Sequence, residues 1–567
     1  MLIGIDVGGT YTDAALIAGH RVQKWVKIPT REDLLSSLLD ALDELIAEIN
    51  REDIKRVVLS TTLITNLIAE EKAEKVALLA MPGPGANPQS FKVFEDAHII
   101  KGAIDYRGRE IEPLDLKELS HALETIAAAG IRKVAVVGKF SVRNNMHEEQ
   151  IAKFAAQNFP QLEVELGHRA AGKLNFPRRA ATTRLTAATR PLFRQFIEQV
   201  QTALLQRNIK APTFILKADG GTVPIEKAGE FPVETIFSGP AASTMGVLAL
   251  SPPGQTSIVV DVGGTTTDLA LILSGQPLLA SKGAKIKEHL TQVRGFSVKS
   301  VPVGGDTWVK VENGELVLTS QREGPARCLG GPLPTPTDAL RVLGIASIGD
   351  LEAAAEAMAD LARQLSLKEN SAPQKVAQKI LDLVVERITK EIETMFLEWE
   401  QEPAYRVWEV MQKKKVRPQN VVGVGGSAPA LVPMVARKLN CNSFIPPYAP
   451  VANAVGTAVA RPTLSVTLRV DTERGVFTVA EDGQQGTIPA REKDRFHLDD
   501  AEAMARRLLQ EKADAMGLGE YSQEAEVTLK EVFNMIRGWS RVGRLLDVIV
   551  QIAPGLIPGW TTPPATP

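Results

Sequence analysis

One stretch of this chain is written twice, and that repetition limits what it can fold into more than any other feature. Residues 3–17 read IGIDVGGTYTDAALI and residues 258–272 read IVVDVGGTTTDLALI; at a constant offset of 255 positions, 11 of the 15 residues are identical. The repeated positions include Asp6 and Asp261, Gly8 and Gly263, Gly9 and Gly264, Thr10 and Thr265, Thr12 and Thr267, and Asp13 and Asp268. Each copy reads as strand, Gly-Gly turn, strand. In dinucleotide-binding and P-loop folds the glycines lead from a strand into a helix. Here they lead into a second strand, so any anion would be cradled at a hairpin tip. The nearest approach to a P-loop, residues 167–173, is followed by Leu174 where a metal-binding hydroxyl is required.

Two adjacent glycines let the backbone approach an anion and aim several N–H groups at it. The hydroxyls of Thr10, Thr12, Thr265, Thr266 and Thr267, with Tyr11, Asp13 and Asp268, complete the expected lining of a phosphate site. Asp6 and Asp261 end their strands, where a carboxylate holds Mg²⁺ through water or orients a nucleophile. One Asp-x-Gly-Gly is equally an ordinary hairpin turn. Two copies with Asp and Thr in the same register favour one ligand closed between two half-sites.

Composition narrows the class. A length of 567 residues implies two to four domains. The 65 basic and 67 acidic residues nearly cancel, which leaves no electrostatic footprint for nucleic acid or anionic lipid. The two cysteines, Cys328 and Cys441, stand far apart, excluding Cys-rich zinc sites and a disulfide framework and suiting a reducing cytosol. The chain opens in a strand rather than a basic leader, and its longest uncharged stretch, 439–460, carries three prolines. A cytoplasmic protein with no membrane span is expected.

Strand and helix patterns alternate through the first part, as in a mixed or parallel sheet covered by helices. Helices are expected at 34–50, 148–158, 350–365, 373–400 and 499–516, and a long one at 178–205 with a break or kink at Pro191. Residues 234–248 read as strand, Ser-Gly-Pro turn, helix. Residues 323–338 are Pro/Gly-rich and read as a functional loop or flap. Residues 452–460, ANAVGTAVA, suit a closely packed helix. Residues 535–544, MIRGWSRVGR, pack on the body or face a partner.

A glycine turn at 421–427 (VVGVGGS) follows the second hairpin. Paired Asp-Gly-Gly-Thr hairpins followed by such a turn resemble the actin/sugar-kinase/Hsp70 superfamily. Within it the chain resembles the hydantoinase A/5-oxoprolinase family through STTLITN (60–66), FSVRNNMHE (140–148), SGPAAS (238–243), GPARCLGGPLPTPTDALRVLG (324–344) and VGGSAPALVPMVARKLN (424–440). The matching strings span roughly residues 2–460. The chain departs from the family around 303–308, VGGDTW, where a Gly-Gly-Gly-Ser-Ile-like string is usual.

The resemblance implies two ribonuclease-H-like α/β halves around an ATP cleft, 1–175 and 176–461, plus a small α+β carboxy-terminal domain, 462–567. It implies that ATP and Mg²⁺ sit between phosphate loops built on the two hairpins, with Gly304, Gly305, Gly425, Gly426 and Ser427 completing the nucleotide site. Thr61, Thr62, Asn66, Asn145 and His147 would meet the substrate. Two plainer roles stand beside these: Thr61 and Thr62 as caps of the following helix, and His147 as a first-turn residue of its helix. The implied activity is ATP-dependent hydrolysis of a cyclic amide (hydantoin, 5-oxoproline or another lactam) through phosphorylation of its carbonyl oxygen. The implied assembly is an oligomer with a B-type subunit. An ATPase switch acting on a partner protein, or a carboxylase subunit acting on a ketone, are the alternatives.

Overall fold

A computed structural model describes residues 1–367, 372–401, 416–489, 491, 493 and 495–560. The fold is mixed α/β. Strand Leu2–Val7 pairs antiparallel with Tyr11–Ala18, which pairs with Arg21–Pro29; its other edge runs parallel to Arg56–Thr61. Strand Ser257–Val262 pairs antiparallel with Thr267–Leu273 and parallel with Asn420–Val424, which continues to Asn442–Phe444. The duplicated sequence is therefore a duplicated topology. Register is duplicated too: Asp6 lies opposite Asp13, and Asp261 opposite Asp268. Ile3, Ile5, Val57, Leu59, Ile258 and Val260 are all fully buried, as expected of strands covered on both faces.

The first sheet is completed by Thr213–Leu216, parallel to Arg56–Thr61, and by Thr222–Pro224. A boundary after residue 175 therefore does not follow sheet membership, because the chain returns to the first sheet after the long helix. Between its visits it builds a separate parallel sheet, in the order Glu163–Leu166, Lys133–Gly138, Val76–Met81, His98–Ile99. Helices Leu116–Ala128 and Met146–Asn158 cover one face of this sheet, and the start of Phe176–Gln206 covers the other.

Helix Phe176–Gln206 runs through Pro191 as one element, with Phe193, Phe196, Ile197 and Val200 beyond the proline set in the first core. One local expectation is corrected. Residues 238–240 form no separate turn. Helix Ser238–Leu250 starts at Ser238 itself, and Pro240 costs no hydrogen bond in a first turn.

The small residues of helix Ala452–Val459 place it in backbone contact with both hairpin halves. A Cβ on Gly456 would lie 2.1 Å from the Gly246 nitrogen, and one on Gly4 2.1 Å from the Ala454 carbonyl oxygen. This helix wedges strand Leu2–Val7 against helix Ser238–Leu250 with no side chain between them.

Within residues 323–338, the stretch expected to be a functional loop or flap, one side chain ties residues 327, 328 and 335 together. The buried Asp338 carboxylate accepts from the Cys328 nitrogen at 2.7 Å, the Thr335 nitrogen at 2.9 Å and the Arg327 nitrogen at 3.2 Å. Burial pushes the Cys328 thiol up to about 12, so it carries no thiolate chemistry.

Past residue 462 a five-stranded antiparallel sheet forms around Leu464–Asp471 and Ser540–Ile552, covered by helix Leu498–Ala515. Its outer pair, Glu526–Arg537 and Ser540–Ile552, ends in a tip where Phe533, Ile536 and Trp539 are exposed. The tip does not pack on the body. Among the described residues no helix is long and apolar enough to cross a membrane.

Candidate active site

The two hairpins close in the same way: Gly8 N donates to Tyr11 O at 3.1 Å and Gly263 N to Thr266 O at 2.9 Å. Gly9, Gly263 and Thr265 are exposed at the tips. A Cβ added to Gly9 would meet nothing within 4 Å, and one on Gly264 would come within 3.6 Å of Thr10 Cγ2. The tips therefore face each other across a space lined by backbone and the hydroxyl-bearing residues Thr10, Thr265 and Thr266. Thr12 and Thr267 do not join that lining. Strand alternation turns both inward at 0% exposure, where Thr12 Oγ1 bonds Thr30 Oγ1 at 2.9 Å and Thr267 Oγ1 donates to Val303 O at 2.7 Å. Tyr11 is partly exposed, with the Lys27 ammonium 5.1 Å from its ring centroid.

Beneath the tips lie four carboxylates. Burial pushes Asp6 up to about 6, opposed by the hydrogen bond from Asn453 and reinforced by Asp13 and Asp261. Burial pushes Asp268 up to about 7, with Asp261 adding to the shift. Asp13 and Asp261 are raised by the same cause. Lys27 Nζ donates to Asp13 Oδ1 at 2.6 Å and its charge opposes the rise at Asp261 as well. Ser243 Oγ donates to Asp261 Oδ2. One lysine among four acids leaves the cluster short of positive charge, and Asp6 Oδ1 is buried without a partner.

These features fit a hydrated Mg²⁺ between Asp6 and Asp261. Among the described residues no group of three or more His, Cys, Asp or Glu is disposed as a metal cage. Mg²⁺ commonly keeps its waters and takes only one or two protein carboxylates beside phosphate oxygens.

The other glycine turns converge on the second hairpin. Gly305 N donates to Gly263 O at 2.9 Å and Asp306 N to Gly264 O at 2.7 Å. A Cβ on Gly305 would sit 2.8 Å from Thr337 Oγ1 and 3.1 Å from Ser427 Oγ. Gly425, at φ +89°, packs directly on the hairpin: a Cβ there would lie 2.7 Å from Val262 O and 2.8 Å from Asp261 Oδ1. Gly426 is exposed, with open space where a side chain would be. Arg322 Nη2 donates to Asp306 Oδ2 at 3.0 Å, setting a cation beside the same tip.

The residues expected to meet substrate divide into two groups. Residues 60–66 lie against the first hairpin: Thr62 N and Oγ1 both donate to Val7 O, and Asn66 Nδ2 reaches Thr62 Oγ1 at 3.5 Å. Thr61 is buried; its Oγ1 accepts from Leu63 N at 3.2 Å, the local capping role, and Ser238 Oγ donates to its carbonyl at 3.0 Å. His147 and Asn145 lie instead at the start of helix Met146–Asn158, on the separate parallel sheet. His147 Nε2 pairs with Glu110 Oε1 at 2.8 Å, and with Ser141 and Asn144 it lines a small cavity beside Gly102 and Gly138. Glu148 serves the scaffold. It accepts from Gly138 N at 2.8 Å and His168 Nδ1 at 2.6 Å; burial works against its charge, but the His168 hydrogen bond and the charges of His168 and Arg179 hold it below its usual range.

A cavity of about 600 Å³ opens elsewhere, at the starts of the second sheet's strands. Amides of Gln255, Gln419, Asn420 and Asn442 line it beside Cys441, with no acid–base pair.

Residues 179–466 match the model of the hydantoinase/oxoprolinase family, and residues 2–159 match that of the hydantoinase/oxoprolinase N-terminal region. The chain belongs to the hydantoinase/oxoprolinase family. Its family relatives include the caprolactamase alpha subunit of Pseudomonas jessenii, 27% identical over 62% of this chain and 55% of that one. The acetophenone carboxylase gamma subunit of Aromatoleum aromaticum is 26% identical over 60% of this chain and 53% of its own. The chain thus spans about half the length of the curated relatives it matches. A nucleotide-free acetone carboxylase structure superposes with a TM-score of 0.71 at 17% identity, covering 99% of this chain and 88% of that one, and so shares the fold.

Reading the family strings alone does not reveal Lys27, Asn453, Ser243 or the Asp306–Arg322 pair as parts of the site. Two signals were present. Lys27 stands opposite Asp13 once the third strand is placed in register. Asn453 is the only amide in a helix otherwise made of small and apolar residues.

The raised acids predict a pH response. An acid whose folded pKa is raised stabilises the fold relative to the ionised reference only while protonated. That contribution is complete below 3.8 and is lost as pH rises through about 6 for Asp6 and about 7 for Asp268. Mg²⁺ favours the ionised carboxylates, so it should raise Tm at pH 8 and have little effect at pH 5. Scanning calorimetry at the two pH values checks this; an equal shift at both would remove the cluster from metal binding.

Proposed function

We propose that the chain is the ATP-using part of an enzyme that activates the carbonyl oxygen of a cyclic amide by phosphorylation. The observation that carries this reading is the meeting of three glycine turns. Two carboxylate-bearing hairpins face each other, and the turn at 425–427 packs directly on Asp261. On this reading the two hairpin halves are of the actin/sugar-kinase/Hsp70 type, and ATP lies between them.

An amide carbonyl is a poor electrophile. Its oxygen attacks the γ-phosphorus, the bond to the β-phosphate oxygen breaks and ADP leaves; water then adds at carbon, the ring C–N bond breaks as the nitrogen takes the added hydroxyl's proton, and a second water releases phosphate from the resulting acyl phosphate. The protein's part in the first step is positioning and charge neutralisation. The tips at Gly8–Gly9 and Gly263–Gly264 would hold phosphate oxygens by backbone N–H groups, joined by Thr10, Thr265 and Thr266. Gly304 and Gly305 would support the second tip, and Gly425, Gly426 and Ser427 would approach the adenosine. Asp6 and Asp261 would hold hydrated Mg²⁺, which neutralises phosphate charge when bound. Asp261 would also take a proton on this reading.

Thr62 and Asn66, beside the first tip, are the better placed of the candidate substrate residues; Asn145 and His147 would need a substrate that reaches the neighbouring sheet. The subunit names of two relatives support a multi-subunit assembly, with a B-type subunit completing the chemistry. The carboxylase relatives support a second reading, phosphorylation of a ketone-derived enolate or its carboxyl donor.

Phosphate release from ATP, measured with lactams, hydantoins, 5-oxoproline and ketones, tests the assignment. The chain is assayed alone and with its partner subunit. Stimulation by a cyclic amide is expected. Stimulation by ketone and bicarbonate only would favour the carboxylase, and stimulation by a protein alone would leave an ATPase switch.

A further inference from the structure

Residues 448–453 touch each part that the phosphate reading requires to act together. Tyr448 adopts a left-handed φ of 60°, a conformation held against its steric cost by what surrounds it. A 3₁₀ turn, Ala449–Val451, leads from it into helix Ala452–Val459. The Ala449 carbonyl accepts from Gly425 N at 2.9 Å, and the Pro450 carbonyl accepts from Lys27 Nζ at 3.0 Å. Asn453 Nδ2 donates to Asp6 Oδ2 at 2.7 Å and to Asp13 Oδ2 at 2.9 Å. Asn453 Oδ1 accepts from Ala454 N at 3.0 Å, which fixes the orientation of the amide. With Oδ2 of Asp6 taken in this way, Oδ1 is the atom left buried and unpartnered.

We propose that Asn453 is a positioning residue for Asp6, and that residues 448–453 form a strap that couples the turn at 425–427 to the first hairpin. The inference rests on the ATP-dependent reading and adds to it a link between the two ends of the nucleotide. The helix that follows cannot slide, because Gly456 and Gly246 are already in backbone contact. A displacement of Ala449 with the turn at 425 is therefore taken up within the strap, where Pro450 holds Lys27 and Asn453 holds Asp6. A nucleotide seated against Gly425 sets the carboxylate that faces its phosphates. Asp13 and Lys27 share the load, since the same amide bridges Asp6 to Asp13 and Lys27 pairs with Asp13.

The test uses the full chain and magnesium as the probe. In Asn453→Ala, kcat for ATP hydrolysis should fall by roughly a hundredfold, the cost of a displaced catalytic group, while KM for ATP stays within about threefold. The Kd for Mg²⁺, titrated calorimetrically in the presence of a non-hydrolysable ATP analogue, should rise about tenfold, the effect of losing a residue that orients a metal-holding group. Thr457→Val, one turn further along the same helix, replaces a buried hydroxyl with no hydrogen-bond partner and should match the wild type in all three. A wild-type kcat and Mg²⁺ affinity in Asn453→Ala, or a loss confined to KM, overturns the proposal. Asn453→Ser carries the same readouts should the alanine variant not fold; if both unfold while Thr457→Val stands, Asn453 is structural and the proposal falls. Absence of ATP binding in the wild type would instead refute the reading beneath it.

Discussion

Asp261→Ala should lower ATP turnover by about a thousandfold or more while leaving the chain folded, the scale seen when a preorganised charge-stabilising group is removed. The carboxylate lies under the second tip, in contact with the turn at 425 and hydrogen-bonded by Ser243 Oγ. Burial works against its charge, and the neighbouring Asp268 is pushed up partly by Asp261. The fold therefore gains little from Asp261, and removing it relieves Asp268. Tm should hold or rise slightly. A variant that unfolded, or turned over ATP normally, would assign Asp261 to the scaffold. Glu148 illustrates that other case: fully buried, but paired with two backbone N–H groups and His168, and held below its usual range.

Gly9→Leu should abolish nucleotide binding without a cost in stability. Most glycines in the core of this chain cannot accept a side chain for internal reasons. At Gly4 and Gly456 a Cβ would strike backbone at 2.1 Å, an overpacking that neighbouring elements could relieve only by moving apart. Gly9 differs. It is exposed, its φ lies outside the left-handed region, and a Cβ there meets nothing. The fold has no use for a glycine at that position, whereas a phosphate approaching the backbone does. A leucine would occupy the space between the tips.

Much of this was legible in the sequence because repetition and register are local properties. Once residues 3–17 and 258–272 are aligned, the hairpins, the facing aspartates and the turn at 425–427 follow from strand geometry. The same local reasoning misplaced Thr12 and Thr267, whose hydroxyls alternate into the core while Thr10 and Thr265 remain at the tips. It left residues 323–338 as a functional loop or flap, since no local pattern shows that Asp338 turns back to cap three backbone nitrogens. Long-range partners were the least legible. Asn453 meets Asp6 across 447 positions and Lys27 meets Pro450 across 423, and neither pairing leaves a periodic trace. The string at 140–148 divides for the same reason: Glu148 braces the sheet, and the half-buried Arg143 feels the charges of Arg469, Asp471 and Asp547 of the carboxy-terminal sheet.

The central claim is that the repeated hairpin tips hold the phosphates of ATP. Calorimetric titration of the wild-type chain and Gly9→Leu with a non-hydrolysable ATP analogue in Mg²⁺ tests it most directly. The account predicts one site per wild-type chain and none in a Gly9→Leu variant of unchanged Tm. Binding that survives the leucine, or a wild-type chain that binds no nucleotide, would contradict it.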